Sequence, residues 1–227
     1  MDGFDLLILG FMLSAISADL NLTPAQSGSL VTWTLIGAVV GGIVFGALSD
    51  RYGRVRVLTW TIVLFAVFTG LCAIAQGYWD LLIYRTIAGI GLGGEFGIGM
   101  ALAIEAWPAK HRAKAASYVA LGWQVGVLAA ALLTPVLLPH IGWRGMFVVG
   151  IFPAFVAWYL RTRLHEPEIF SQKQSALSTQ KTSKLESFKL LIKDKATTKV
   201  SLGVVVLTSV QNFGYYGIMI WMPNFLS

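Results

Sequence analysis

The chain has 227 residues, of which 56% are hydrophobic and only 12% are charged. Soluble domains carry about 25% charged residues, so the composition excludes an ordinary soluble domain and predicts an all-α polytopic membrane protein. The net charge of +6 comes from Lys and Arg residues concentrated in a few connecting loops, which anchor membrane topology and require no nucleic-acid partner.

Seven apolar blocks follow one another along the chain, and a helix needs about 20 residues to cross a bilayer core. Five of the seven meet or approach that length, but the first has 13 residues. Such a helix is about 20 Å long, too short to cross, so we expect the chain to begin partway through a helix and to be cut again after the seventh block. The blocks are residues 6–18, 27–48, 57–75, 81–106, 115–138, 145–160 and 200–222.

The loop charges predict an orientation. The connections after the second, fourth and sixth blocks hold three, three and nine Lys or Arg residues, whereas those after the first, third and fifth hold none, none and one. Basic loops stay in the cytoplasm, so we expect a cytoplasmic N-terminus in the cytoplasmic (inner) membrane. Residues 1–161 are predicted to form a six-helix bundle, 162–199 a cytoplasmic basic linker with an amphipathic helix, and 200–227 a seventh transmembrane helix.

Glycines at four-residue spacing are typical of helix contacts within membranes, because small residues let two backbones approach closely. They recur in the second, fourth and fifth blocks. Residues 89–94 also match G-x-G-x-x-G, but the dinucleotide motif requires a βαβ unit that this sequence lacks. We therefore expect helix contacts, no nucleotide or other cofactor, and no metal site. The glycines concerned are Gly37, Gly41, Gly42, Gly46, Gly89, Gly93, Gly97, Gly122 and Gly126.

Three charged residues lie at ten-residue spacing in the fourth block. A charge at the bilayer centre is costly and usually faces a cavity or a partner. Glu95 is therefore predicted either to line a water-filled path or to be a structural carboxylate, neutral or paired with another helix. Arg85 is expected either to serve the same path or to extend outward to the interface. Glu105, near the inner surface, is predicted to pair with a loop cation such as Arg112.

Two aspartates precede the first block. Asp2 and Asp5 are three residues apart, which places them on one face of a helix. If the chain begins partway through a helix, they form a paired-carboxylate site at membrane depth. If Met1 is a true start, they are exposed N-terminal residues.

The segment "GALSDRYGRVRVL", residues 46–58, joins the second and third blocks. Gly46 is predicted to allow close approach to a neighbouring helix, Asp50 to cap a helix or bind an Arg, and Gly53 to turn the chain. Arg51 and Arg54 are suited to binding carboxylates or helix C-termini. The alternative is a simple basic loop that sets topology.

These residues closely resemble the major facilitator superfamily signature between its second and third helices, although Val55 replaces a basic residue. "RTIAGIGLGGE", beginning at Arg85, resembles the family's fourth-helix motif, and "EAWPAKHR", residues 105–112, resembles the cytoplasmic end of that helix. "EPE", residues 166–168, is similar to the acidic-proline element after helix six. "DGFD", residues 2–5, resembles the first-helix motif of the aromatic-acid:proton and sialate:proton symporters, where it lies in mid-helix.

The resemblance implies twelve helices in two halves that move by alternating access, of which this chain supplies the N-terminal six-helix bundle and helix seven. It implies proton-coupled uptake of a small organic anion, for which the missing C-terminal half would be needed. A sugar or drug carrier of the same superfamily, or a non-transporting half-carrier remnant, are the alternatives; an enzyme is not expected. The implied proton and substrate path comprises Asp2, Asp5, Arg85, Glu95, Gln211, Asn212, Tyr215 and Tyr216. The implied cytoplasmic network comprises Gly46, Asp50, Arg51, Gly53, Arg54, Glu105 and Arg112.

Overall fold

The structure, a computed structural model, describes residues 2–161 and 194–218 of the chain. The fifth helix is broken at Gly142, where φ is 66° and ψ is 177°, so we distinguish its first limb (residues 112–141) from its second limb (143–161). The two limbs correspond to the fifth and sixth apolar blocks. The elements are α1 (Asp2–Leu20), α2 (Pro24–Tyr52), α3 (Arg54–Cys72), α4 (Tyr78–Ala106), a 3-10 turn (Ala109–His111), α5 (Arg112–Arg161) and α6 (Lys195–Tyr216).

Five helical segments among the described residues are long and apolar enough to cross a membrane, which agrees with the predicted all-α polytopic class. They lie in α1, α2, α3, α4 and the stretch Ala109–Phe152. The prediction that the first block is too short is wrong, because Gly3–Leu20 alone gives 18 residues, about 27 Å of helix. The described part of the seventh block, α6, is not among the five, and it begins at Lys195 rather than at residue 200.

Helices α2 and α3 pack on α4, and the closest part of the α2–α4 contact is backbone against backbone. A methyl group added at Gly89 or Gly93 would collide with the backbone carbonyls of Thr34 or Ala38 on α2. The predicted glycine contact is therefore confirmed here. It is wrong at three other positions, where an added Cβ would meet no atom within 4 Å in the described part of the chain: Gly46, Gly97 and Gly122.

Helices α1 and α5 form a second close pair. A Cβ at Gly3 would lie 2.6 Å from the backbone oxygen of Trp123, and one at Gly126 would lie 3.0 Å from the backbone nitrogen of Phe4. A core cluster of buried apolar side chains from α1, α3 and α4 fills the space between these pairs. Its members include Leu6, Val57, Leu58, Ile62, Phe65, Leu92 and Ile98.

The chain divides into two compact units, Met1–Pro167 and Glu168–Ser227. The first contains α1 to α5 and the second contains α6. The predicted amphipathic helix of the linker falls in residues 162–193, outside the described residues, so the three-part domain division stays a prediction.

Candidate functional site

The most deeply buried charges of the described residues belong to Arg85 on α4 and Asp5 on α1. Arg85 donates two hydrogen bonds to the Asp5 carboxylate, from Nη1 to Oδ1 at 3.1 Å and from Nη2 to Oδ2 at 2.8 Å. The side chains of Arg85 and Asp5 are 0% and 3% exposed. A planar guanidinium fits a carboxylate in this two-bond geometry, which is the strongest form of a charged hydrogen bond.

This pairing bears on the alternatives left open for Arg85. The side chain does not extend outward to the interface, since it is fully enclosed and bound to Asp5 of α1. Each charge is neutralised by the other in this conformation. The predicted role of Arg85 in a proton and substrate path stays a prediction.

Two further groups approach the guanidinium of Arg85. The ring of Phe147, on the second limb of α5, lies 5.7 Å from Cζ. The thiol of Cys72, at the end of α3, is a further neighbour that interacts electrostatically with Arg85. It donates a hydrogen bond to the backbone oxygen of Phe68. Arg85 Nε has no hydrogen-bond partner within the described ranges. Helices α1, α3, α4 and α5 thus all meet at this residue.

Glu95 does not share this site. It is half-buried and lies ten residues beyond Arg85, which turns it about 80° away around α4. Its neighbour Phe96 packs edge-on against Trp123 of α5, with ring centroids 6.0 Å apart. The paired-carboxylate hypothesis for Asp2 and Asp5 stays a prediction, because the side chain of Asp2 is outside the described part. The carboxylate of Asp5 is engaged by Arg85.

At the end of the bundle formed by the turn between α2 and α3, an ion-pair network forms where the basic loop was predicted to do more than anchor. Arg54 Nε lies 2.6 Å from Glu105 Oε2, and Arg54 Nη2 lies 3.4 Å from Asp50 Oδ1. Gly53 supplies the turn between α2 and α3, with φ of 102°. Glu105 therefore pairs with the loop cation Arg54, because the turn at Gly53 brings the start of α3 against the end of α4.

Two further arginines of the predicted network, Arg51 and Arg112, have other surroundings. Arg112 is exposed at the start of α5. The guanidinium of Arg51 lies 5.3 Å from the ring centroid of Tyr52. Neither residue contributes a described contact to the Arg54–Glu105 pair.

Sequence reasoning missed a polar cluster at the opposite end of the bundle. Asp19 Oδ2, at the end of α1, accepts hydrogen bonds from Trp143 Nε1 at 3.1 Å and from Arg144 Nη1 at 2.7 Å. Arg144 Nη2 also donates to the backbone oxygen of Ala75, at 3.3 Å. The signal available in the sequence was that Arg144 is the one cation in the predicted outer loops, with an acid, Asp19, at the outer end of the first block.

The four predicted residues of the seventh helix lie on α6. Gln211 and Tyr215 share one face of this helix, as do Asn212 and Tyr216, because residues four apart are neighbours on a helix surface. The rings of Tyr215 and Tyr216 pack edge-on, with centroids 5.5 Å apart. Since α6 belongs to the second compact unit, the role of these four residues toward Arg85 stays a prediction.

The sequence profile of the Major Facilitator Superfamily matches residues 1–227. The chain belongs to this superfamily. Its buried ion pair, its glycine-lined helix contacts and the ion pairs beside its α2–α3 turn are therefore features of a chain of this superfamily. The family consists of transporters, in agreement with the prediction that the chain is not an enzyme.

Two curated relatives match this chain over its whole length and are themselves longer. It is 89% identical to a Haemophilus influenzae protein named for metabolite transport, covering 100% of this chain and 56% of that protein. It is 34% identical to a cis,cis-muconate transport protein of Acinetobacter baylyi, covering 100% and 55% respectively. The chain spans about half the length of these relatives.

A solved structure of the proton:xylose symporter XylE is similar in fold. It matches with a TM-score of 0.68 and 24% identity, over 76% of this chain and 44% of that one. At this identity the likeness concerns the fold of the superfamily member alone.

Proposed function

We propose that this chain forms the N-terminal part of a secondary active transporter that takes up a small organic acid together with a proton. The observation that carries the proposal is the buried two-bond ion pair of Asp5 and Arg85. The relative named for muconate transport supports an organic acid as the substrate class. The proposed setting is the cytoplasmic membrane, spanned several times, with the N-terminus in the cytoplasm.

The ion pair suggests how proton and anion are coupled. When a proton binds Asp5, its carboxylate becomes neutral and Arg85 is left as a buried, unpaired cation. An unpaired buried charge is unfavourable by several kcal/mol. A substrate carboxylate can take the place of Asp5 and accept hydrogen bonds from the same two guanidinium nitrogens of Arg85. The orphan Nε of Arg85 offers one further donor. Proton and organic anion therefore bind together, and when both leave, the Asp5–Arg85 pair forms again.

The remaining predicted residues are assigned around this exchange. Asp2 is proposed as a second proton site and Glu95 as a lining group of the path. The Arg54–Glu105 pair, with Asp50, is proposed to hold the cytoplasmic side closed in one conformation. The polar side chains of α6 are proposed to offer hydrogen bonds and aromatic surface to a carboxylated substrate. These residues are Gln211, Asn212, Tyr215 and Tyr216.

The test uses this chain completed with the C-terminal part of the Haemophilus influenzae relative and reconstituted into liposomes. We expect an inward proton gradient to drive accumulation of a labelled dicarboxylate such as muconate, and an uncoupler to abolish it. Competition by other organic acids but not by xylose would support the substrate class. Uptake that an uncoupler leaves unchanged would remove the symport proposal.

One substitution separates binding from coupling. Asp5→Asn resembles the protonated state permanently, so the variant should exchange substrate across the membrane but fail to accumulate it against a gradient. Asp80→Asn, which alters an exposed carboxylate at the outer end of α4, is the matched control and should retain accumulation. The unextended chain should accumulate nothing, because half a transporter encloses no path; accumulation by it would contradict the proposal.

A further inference from the structure

The outer polar cluster is connected to the buried ion pair by an unbroken series of contacts. The indole of Trp143, held by Asp19 at 3.1 Å, packs edge-on against Phe147 with ring centroids 6.0 Å apart and planes at 90°. The ring of Phe147 in turn lies 5.7 Å from the guanidinium of Arg85, which holds Asp5. The series begins and ends on α1 and passes through the second limb of α5 and through α4.

Each contact in this series restricts the next. A hydrogen-bonded indole N–H fixes the orientation of a tryptophan ring. Trp143 is 5% exposed and Phe147 is 0% exposed, and close packing of this kind restricts the rotamers that a ring can adopt. The face of an aromatic ring attracts a guanidinium, so Phe147 restricts where the Arg85 guanidinium can lie.

The groups that face Arg85 are few within the described residues. Asp5 approaches from α1, the Cys72 thiol from α3 and the apolar Phe147 ring from α5. Two hydrogen bonds from the guanidinium to Asp5 orient it toward α1, and the ring of Phe147 contacts it from α5. The orientation of this ring therefore bears directly on how well Arg85 meets Asp5.

We propose that Trp143 is a positioning residue of the Asp5–Arg85 site. The hydrogen bond from Trp143 to Asp19 holds the Trp143 and Phe147 rings in place, and Phe147 holds Arg85 aligned with Asp5. Asp19 lies fourteen residues from Asp5 on α1, about 21 Å along the helix. A half-exposed group at the outer surface thus sets the geometry of a fully enclosed ion pair. The consequence for coupling rests on the proposed function; the positioning does not.

The rate at which Cys72 is labelled reports, on the chain itself, whether Arg85 and its neighbours stay packed. Cys72 is the single cysteine of the sequence, it is 0% exposed, and it lies beside Arg85. Its rate of labelling by N-ethylmaleimide in lipid nanodiscs reports how often this region opens. Trp143→Phe keeps a ring but removes the N–H donor, and Asp19→Ala removes the acceptor. Each should raise the labelling rate between about two- and tenfold, the range that corresponds to one lost hydrogen bond.

Matched variants separate this series from general loosening. Trp79→Phe alters an exposed tryptophan at the outer end of α4 (70% exposed) and should leave the labelling rate unchanged. Asp19→Asn keeps an oxygen acceptor for Trp143 while losing the charge that Arg144 binds. It should therefore label close to the unsubstituted chain. Labelling of Asp19→Asn as fast as Asp19→Ala would assign the effect to the ion pair and overturn the role of Trp143.

A double-mutant cycle tests whether the effect passes through Phe147. Phe147→Leu removes the ring, so Asp19→Ala should raise the labelling rate no further in that background, because residues acting in series are not additive. An equal rise in both backgrounds would overturn the proposal, as would a Trp143→Phe variant that labels like the unsubstituted chain.

A second readout concerns coupling. In the completed transporter, Trp143→Phe should lower the substrate accumulation that a proton gradient drives, since Arg85 and Asp5 are then held less firmly against each other. Trp79→Phe should leave this accumulation unchanged. If the unsubstituted transporter shows no proton-driven uptake, the proposed function fails, while the Cys72 labelling still decides the positioning role.

Discussion

The strongest quantitative test of the site is the stability of the chain after Asp5→Asn. The substitution preserves shape but leaves Arg85, whose side chain is 0% exposed, without its counter-charge. Breaking a buried ion pair from one side costs about 3–5 kcal/mol. For a chain of this size, that lowers the midpoint of thermal unfolding by roughly 6–20 °C.

Unfolding of the chain in mixed micelles, followed by the fluorescence of its eight tryptophans, provides the measurement. Asp80→Asn is the control, and a change at this exposed position should stay within about 0.5 kcal/mol. The double variant Asp5→Leu/Arg85→Met removes both charges and should recover most of the loss, because an apolar pair of similar volume needs no compensation. If Asp5→Asn is as stable as the unsubstituted chain, Arg85 is not enclosed and the reasoning is refuted.

Three further predictions concern the packing, the cytoplasmic network and the topology. Gly93→Ala should lower the free energy of unfolding by about 1–3 kcal/mol, because its methyl group would collide with the α2 backbone. Gly97→Ala, which would meet open space within the described residues, should not lower it. Chemical unfolding checks both. Reversing the charge of either Arg54 or Glu105 should cost about 1.5–3 kcal/mol, and exchanging the two should restore most of it in a double-mutant cycle; a lack of restoration would contradict the pair. In a cysteine-free background, Gln76→Cys should react with an impermeant maleimide added outside the cell. Lys110→Cys should react only after the membrane is opened. The reverse pattern would invert the predicted orientation.

The helices themselves were largely predictable from the sequence, because a run of apolar residues has few alternatives in a bilayer. The exception was the length of α1, since the first apolar block was bounded at residues 6 and 18 and left out the charged positions on either side. Two of these charges have partners on other helices: Arg85 binds Asp5, and Arg144 and Trp143 bind Asp19. Sequence patterns show charges but not the partners that make a buried charge acceptable.

Glycine spacing and ion pairs illustrate the same limit. Gly89 and Gly97 share one four-residue series, yet only Gly89 faces a close neighbour, since spacing defines a face without showing what lies opposite. Arg85 and Asp5 were each predicted at depth, but they are 80 residues apart and nothing local pairs them. Glu105 meets Arg54 because of the turn at Gly53, and the sequence pattern does not show where that turn places Arg54.

Two stiff helix pairs follow from the glycine contacts described above. Where α2 meets α4, and where α1 meets α5, backbone touches backbone with no long side chain between them to change rotamer. Such contacts resist sliding, so we expect each pair to move as one body. Asp5 belongs to one pair and Arg85 to the other, so their salt bridge joins the two pairs beside the apolar cluster of α1, α3 and α4. Protonation of the Asp5 carboxylate would then remove the charged part of this contact and leave the apolar part in place.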